Sequence, residues 1–376
     1  MRILVTSFPG RGHLNPVLPL AIAGRAAGHD VRVATGEDQC AHAASYGLDA
    51  MPVGPGLGDL ITLGERTHGA TWGDRMFEDT WVREAAPALL SVADAWLPDI
   101  VVSEEEEYAG LLVATLLEIP AVTHSWPCPC RPILQRRRAL ERLRPTWADL
   151  APGREPRQTG DVYLDACPPP LQSPEIADIP EVTPIRATSP PDLPGGSGVV
   201  PDDLRHPAAY LTLGTVPVFS TPGRLRECID ALSPLVASLV VTTGPNPVAS
   251  LGDLPSHVLA CDYLTQSRIL PLVDLVVSHG GAGTTLGALQ AGLPHLLLPY
   301  ESQSQESSAE AVARLGAGLV VPVETRDVDE IRAAAARLLG DRAHREAAEA
   351  VRSTLSALPS PEAVVRRLVE LVGGAD

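Results

Sequence analysis

Short runs of β-branched and aliphatic residues recur along the chain, each followed by a longer stretch in which apolar positions return every three or four residues. The first series reads RILVT (2–6), DVRVAT (30–35), DIVVS (99–103) and PAVTH (120–124). A second series reads AYLTLG (209–214), SLVVTT (238–243), HVLAC (257–261), DLVVS (274–278) and PHLLLP (294–299). Runs that are continuously apolar, rather than alternating, predict strands buried on both faces, hence parallel sheets covered by helices. Between the two series lies TSPPDLPGGSGVVPDD (188–203), the densest Pro/Gly/Ser stretch, which predicts an interdomain linker. The expected division is a first domain over 1–190, a linker over 191–206, a second domain over 207–358 and a terminal helix over 359–376. No internal repeat is visible.

Composition narrows the partners. At 376 residues the chain exceeds one typical core. With 45% hydrophobic and 20% charged residues it has the balance of a soluble globular protein. A net charge of -17 argues against nucleic acid or an anionic membrane surface as partner. No apolar run reaches the roughly 18 residues of a membrane span, and Met1-Arg2 leads into a short strand rather than a signal peptide. A cytoplasmic protein is expected. Of the six cysteines only Cys128 and Cys130 are close, a poor zinc pattern, so buried or incidental thiols are expected. The arginines of QRRRALERLRP (135–145) fit a solvated amphipathic helix. All five tryptophans precede residue 150. Trp72, Phe77 and Trp81, gathered in GATWGDRMFEDTW, are candidates to line a pocket for a flat apolar ligand; the alternative is that they are core.

Two glycine-rich turns carry the candidate chemistry. SFPGRGHLNP (7–16) satisfies only the first two glycines of a dinucleotide fingerprint, with Asn15 at the third and only Glu37 or Asp38 as distant acid. It instead presents His13, with Asn15 expected as helix cap and Pro16 as first helical residue. A histidine leaving a strand's carboxyl end suits a general base, because its ordinary pKa near 6.5 leaves it neutral at cellular pH. LVVSHGGAGTTLGALQAGLPHLLLP (275–299) has strand, glycine turn and helix in succession. Its glycines let backbone N–H groups approach a diphosphate at a helix N-terminus, with His279, Thr284 and Thr285 as side-chain donors. No lysine follows, so it is not a Walker A loop.

The pairing of GRGHLNP with SHGGAGTTLGALQAGLPHLLLP resembles the inverting, nucleotide-sugar-dependent glycosyltransferases of family 1. It is most similar to the bacterial natural-product branch that decorates polyketides, enediynes, macrolides and glycopeptides. YLTLGTV, VVTTG and CDYLTQSRILPLVDLVVSHGG extend the resemblance over nearly the whole chain. It implies the GT-B fold: two Rossmann-like, doubly wound parallel-sheet domains facing across a cleft. The first would hold the acceptor and the second the nucleotide sugar, with SPEAVVRRLVELV (360–372) returning to the first domain. It implies that His13 takes the acceptor's proton and that an acid after DIVVS supports it. Glu104 is the simplest match within Glu104–Glu107, Glu105 and Glu107 are alternates, and about two of the four would be a solvated turn. Gly12, Gly214, Thr215, Thr243, Gly244, Tyr263, Leu264, His279, Gly280, Gly281, Ala282, Gly283 and Thr284 are the implied nucleotide-sugar contacts.

No metal or cofactor is expected; the co-substrate is a dTDP-sugar or UDP-sugar. The one Asp-x-Asp, Asp327-Val328-Asp329, reads as a helix start. Ser304-Gln305 falls where many members place an acid and Gln against the sugar hydroxyls, with Glu301 as a possible substitute. Losing that carboxylate favours a dTDP-deoxysugar. The acceptor is expected to be a hydrophobic natural product. Rival readings are a GT-B epimerase, a silent auxiliary partner of a deoxysugar transferase, and a NAD-linked enzyme.

Overall fold

A computed structural model describes residues 1–130, 133–192, 203–216, 219–300, 302–322 and 327–373. It divides into two compact units. The first comprises Met1–Cys167, Ser173–Pro191 and Leu358–Asp376, and the second Pro168–Gln172 and Asp192–Ala357. Most of the expected linker, 193–202, lies outside the described residues. The short excursion of 168–172 into the second unit has no signal in the sequence pattern.

The first unit carries β1 (Arg2–Thr6), β2 (Asp30–Gly36), β3 (Asp49–Gly54), β4 (Ile100–Glu104), β5 (Ala121–His124), β6 (Val162–Asp165) and β7 (Val182–Pro184). The second carries β8 (Ala208–Thr212), β9 (Ser238–Thr242), β10 (Val258–Cys261), β11 (Leu275–Ser278), β12 (His295–Leu297) and β13 (Gly318–Val320). The strand orders are β3-β2-β1-β4-β5-β6-β7 and β10-β9-β8-β11-β12-β13. Every pairing is parallel, so both units are doubly wound sheets, as the resemblance implies. In each, the winding reverses between two central strands, β1 and β4 in one and β8 and β11 in the other. Loops leaving those strands diverge, which makes the carboxyl ends there the natural ligand positions.

The apolar runs become the interior strands: β4, β5, β8, β9, β11 and β12 are buried throughout. The strands without a run are β3, β6, β7 and β13. Three of these four lie at sheet edges, where one flank needs no apolar cover and Pro52 in β3 is tolerated. Trp81, Trp147 and Tyr108 are fully buried and anchor the first core, each worth on the order of 3 kcal/mol in burial. The second core is built from Leu, Ile, Val and Ala with buried Cys228. The 133–150 segment forms a helix whose Ala139, Leu143 and Trp147 face inward at four-residue spacing. The terminal helix Pro361–Gly373 buries Val364, Val365 and Leu368 and packs on the Arg11–Ala26 helix of the same unit. Among the described residues no helix is long and apolar enough to cross a membrane.

Candidate active site

The first turn departs from expectation at its helix. The helix begins at Arg11 with Gly10 as cap, not at Pro16, so His13 stands on the first helical turn. Two N–H groups, of His13 and Leu14, already bond to the Gly10 carbonyl at 3.0 and 2.9 Å. Pro16 and Pro19 sit inside the helix, where each deletes one intrahelical bond. Asn15 is not the cap; its side-chain oxygen lies 2.8 Å from His42 Nε2.

This turn sits where the winding reverses. Thr6 at the end of β1 is opposite Ser103 of β4, so the next residue of β4, Glu104, ends beside the turn. His13 Nδ1 lies 3.2 Å from Glu104 Oε1, with the carboxylate side chain fully buried and the imidazole 18% exposed. Glu104 Oε1 also accepts the Glu106 N–H at 3.1 Å. A carboxylate on Nδ1 favours the tautomer protonated there, which assigns the basic lone pair to Nε2. Across the sheet Glu104 is opposite His124, whose pKa burial lowers to about 4. That neighbour is neutral and adds no charge to the pair.

The four glutamates separate by environment. Glu107 caps the Tyr108–Leu117 helix, accepting N–H bonds from Ala109 and Gly110, a hydroxyl bond from Thr6 and the Trp81 indole N–H at 2.9 Å. Burial raises its pKa, against the pull of those donors. Glu105 accepts the Tyr163 hydroxyl at 3.0 Å and the Trp126 backbone N–H at 3.2 Å. Glu104, Glu106 and Glu107 are all buried, which corrects the expectation of a half-solvated turn. They are buried because this loop lies under the carboxyl ends of β1, β4 and β5, where backbone donors need acceptors.

The aromatic residues also sort differently. Trp81 is fully buried in the core and bonded to Glu107, so it is not a pocket wall. Trp72 is half-buried and packs over Gly64. Phe77 is the one of the three whose ring reaches His13, at 5.5 Å. Trp126, not singled out in the sequence, stands perpendicular to the imidazole at 4.7 Å.

In the second unit, Gly214 follows β8 and His279 follows β11, again at the reversal. Gly214 has φ +82°, and a Cβ there would lie 2.7 Å from the His279 ring. A Cβ on Gly281 would lie 2.6 Å from the same ring, so the imidazole is held between two glycines. Its face stacks on Phe219 at 5.7 Å, and burial lowers its pKa to about 4. His279 is therefore neutral. Gly281 caps the Ala282–Ala291 helix without a side-chain bond, so the opening N–H groups of that helix point to its free end. Gly283 is exposed with open space about it, and Gly280 lies at φ +83°.

Other predicted contacts are engaged within the fold. Thr284 accepts from Gln266 Nε2 at 2.8 Å, and the Thr243 hydroxyl donates to the Asn246 carbonyl at 2.7 Å. Thr243 and Leu264 are buried, so neither side chain is open to a ligand; Gly244 approaches the Gly214 carbonyl too closely for any Cβ. Thr215 and Tyr263 are exposed, Ala282 half so. Gln305 is buried and its Oε1 accepts the Tyr300 N–H at 2.9 Å, while Ser304 lies 3.2 Å from Ser302. Glu301 lies outside the described residues. Gly12 is exposed one residue before His13. Beneath the loop, and without any sequence motif to flag it, Ser278 accepts the Gly280 N–H and lies 2.9 Å from buried His295. Asp327 caps the Val328–Gly340 helix through the Glu330 N–H. Among the described residues no three His, Cys, Asp or Glu side chains gather as a metal-ligand set.

Comparison with known proteins agrees with this architecture. Residues 226–371 match the family model described as erythromycin biosynthesis protein CIII-like, C-terminal domain. The chain is 33% identical to L-demethylnoviosyl transferase of Streptomyces niveus, over 98% of this chain and 97% of that protein. It is 32% identical to elloramycin glycosyltransferase ElmGT of Streptomyces olivaceus, over 98% and 97%. It is 26% identical to aclacinomycin-T 2-deoxy-L-fucose transferase of Streptomyces galilaeus, over 99% and 96%. Among solved structures, glycosyltransferase SsfS6 of Streptomyces sp. SF2575, complexed with thymidine diphosphate, superposes with a TM-score of 0.78 at 28% identity, over 98% of this chain and 99% of that one. Two doubly wound sheets and near-full-length similarity to named transferases lead to one conclusion: the chain belongs to the natural-product glycosyltransferases of the GT-B fold.

Proposed function

We propose that this glycosyltransferase moves a deoxysugar from its dTDP conjugate to a hydroxyl of a hydrophobic natural product, with inversion and without a metal. The His13–Glu104 pair carries the reading. His13 Nε2 takes the acceptor hydroxyl proton as the oxygen attacks the anomeric carbon; Glu104 stabilises the imidazolium that forms. The bond from that carbon to the diphosphate breaks, and its electrons leave with dTDP. The N–H groups opening the Ala282–Ala291 helix and the neutral His279 receive that charge, the electrostatic task a metal performs elsewhere. The thymidine diphosphate in SsfS6 supports the nucleotide. The deoxysugar rests on Ser304 at the position of the usual acid, and on the 2-deoxy-L-fucose named for the Streptomyces galilaeus relative. The hydrophobic acceptor rests on Phe77 beside His13.

His13→Ala tests it. Transfer should fall by on the order of 10² to 10⁴ while dTDP affinity stays within about twofold. Near-normal turnover would remove the base from His13.

A further inference from the structure

Rings from three segments surround the His13 imidazole: Phe8 at 4.9 Å, Phe77 at 5.5 Å and Trp126 at 4.7 Å. Phe8 and Phe77 also touch each other, at 4.6 Å, and form one tilted wall. Trp126 differs from both. Its plane stands at 84° to the imidazole, and it arrives on the loop after β5. That loop is tied down independently of His13. The Trp126 N–H donates to Glu105, whose other oxygen holds Tyr163 of β6, and the Trp126 carbonyl accepts the Ser125 hydroxyl at 3.1 Å.

A carboxylate contact at Nδ1 and the bond to Cβ together still leave the imidazole a tilt about the line joining them. That tilt moves Nε2, the atom that must meet the hydroxyl. We propose that Trp126 is a positioning residue for the base, its indole holding the imidazole against the Phe8–Phe77 wall so that Nε2 keeps a single direction. The proposal rests on the reading of His13 as base. A base displaced by about 1 Å costs on the order of 10²-fold in rate, so the effect belongs in kcat rather than in binding.

The full-length enzyme is assayed as Trp126→Leu, Trp126→Phe and each combined with His13→Ala. Trp126→Leu should lower kcat by about 10- to 100-fold, with acceptor KM and dTDP Kd within about twofold. Trp126→Phe, which restores a ring, should recover most of the loss. In the His13→Ala background, Trp126→Leu should add less than about twofold, because there is no base left to position. A raised acceptor KM with kcat preserved would make Trp126 an acceptor contact and overturn the proposal. So would unchanged kcat, or the full loss repeated without His13. Should Trp126→Leu fail to fold, Trp126→Met and Glu105→Gln, which loosens the loop but keeps the indole, are compared in the same way. The base reading fails separately, if His13→Ala alone keeps its turnover.

Discussion

Glu104 and Glu107 are the same residue three positions apart, and their surroundings give them different work. Glu107 is ringed by backbone and indole donors and serves as a helix cap; Glu104 turns one oxygen to an imidazole. Four glutamates in a row reveal an acidic loop, but not which carboxylate meets His13, because that depends on where β1 and β4 end relative to one another. The aromatic residues tell the same story. Their crowding before residue 150 points to the first unit, yet Trp81 is core and Trp126, from another loop, stands against His13. In the proposal Ser304 stands where the usual acid would be. Restoring an acid by Ser304→Asp should return a charge-assisted contact to a fully hydroxylated hexose that a deoxysugar does not make. In a mixture of dTDP-glucose and a dTDP-deoxysugar, the variant should shift toward glucose by about 10- to 100-fold, on the 1.5–3 kcal/mol scale of a hydrogen bond to a charged group. An unmoved product ratio would detach donor choice from this position.

At the scale of elements, every interior strand but β6 is plain in the sequence because burial on both faces demands continuous apolar runs, and the glycine turn after β11 is plain beside them. Of the edge strands β10 is legible as HVLAC, whereas β3, β7 and β13 are not, since half their surroundings impose no pattern. The start of the Arg11–Ala26 helix escapes for another reason. Pro16 suits a first helical position, and here the helix tolerates it one and a half turns in, which puts His13 on the helix itself. The turn after β8 shows how two elements seat one imidazole. Gly214 takes a positive φ and leaves room for the His279 ring, which a methyl group would meet at 2.7 Å. Gly214→Ala should therefore strain the turn and push the imidazole from the helix end. Calorimetry with dTDP should show affinity lower by about 1.5–3 kcal/mol, the value of one hydrogen bond to a charged group. Unchanged affinity with a lowered melting temperature would make the glycine structural only.

For the molecule as a whole, with a net charge of -17, the pH response comes from histidines inside. Burial lowers His124 and His279 to about 4 and His295 to about 3. Unfolded, each titrates near 6.5. Below that value the unfolded chain binds protons that the folded chain refuses, so stability is complete above about pH 6.5 and falls as pH drops toward 4. Each buried histidine removes up to about 1.4 kcal/mol per pH unit in that window. Buried Glu107, raised, has the opposite sign, but is one group against three. Thermal melts should be flat from pH 8 to 7 and decline steadily from 6 to 5; a melting temperature that rises on acidification would contradict the buried neutral histidines.

The proposed reaction, with His13 as base and the acceptor oxygen as nucleophile, is a direct displacement at the anomeric carbon. The anomeric configuration of the product, read by NMR from an α-linked dTDP-deoxysugar with EDTA present, tests this most directly. The predicted product is the β-glycoside, formed at an undiminished rate. An α-glycoside, or turnover that stops in EDTA and returns with magnesium, would contradict the mechanism built on His13, Glu104 and the helix end at Gly281.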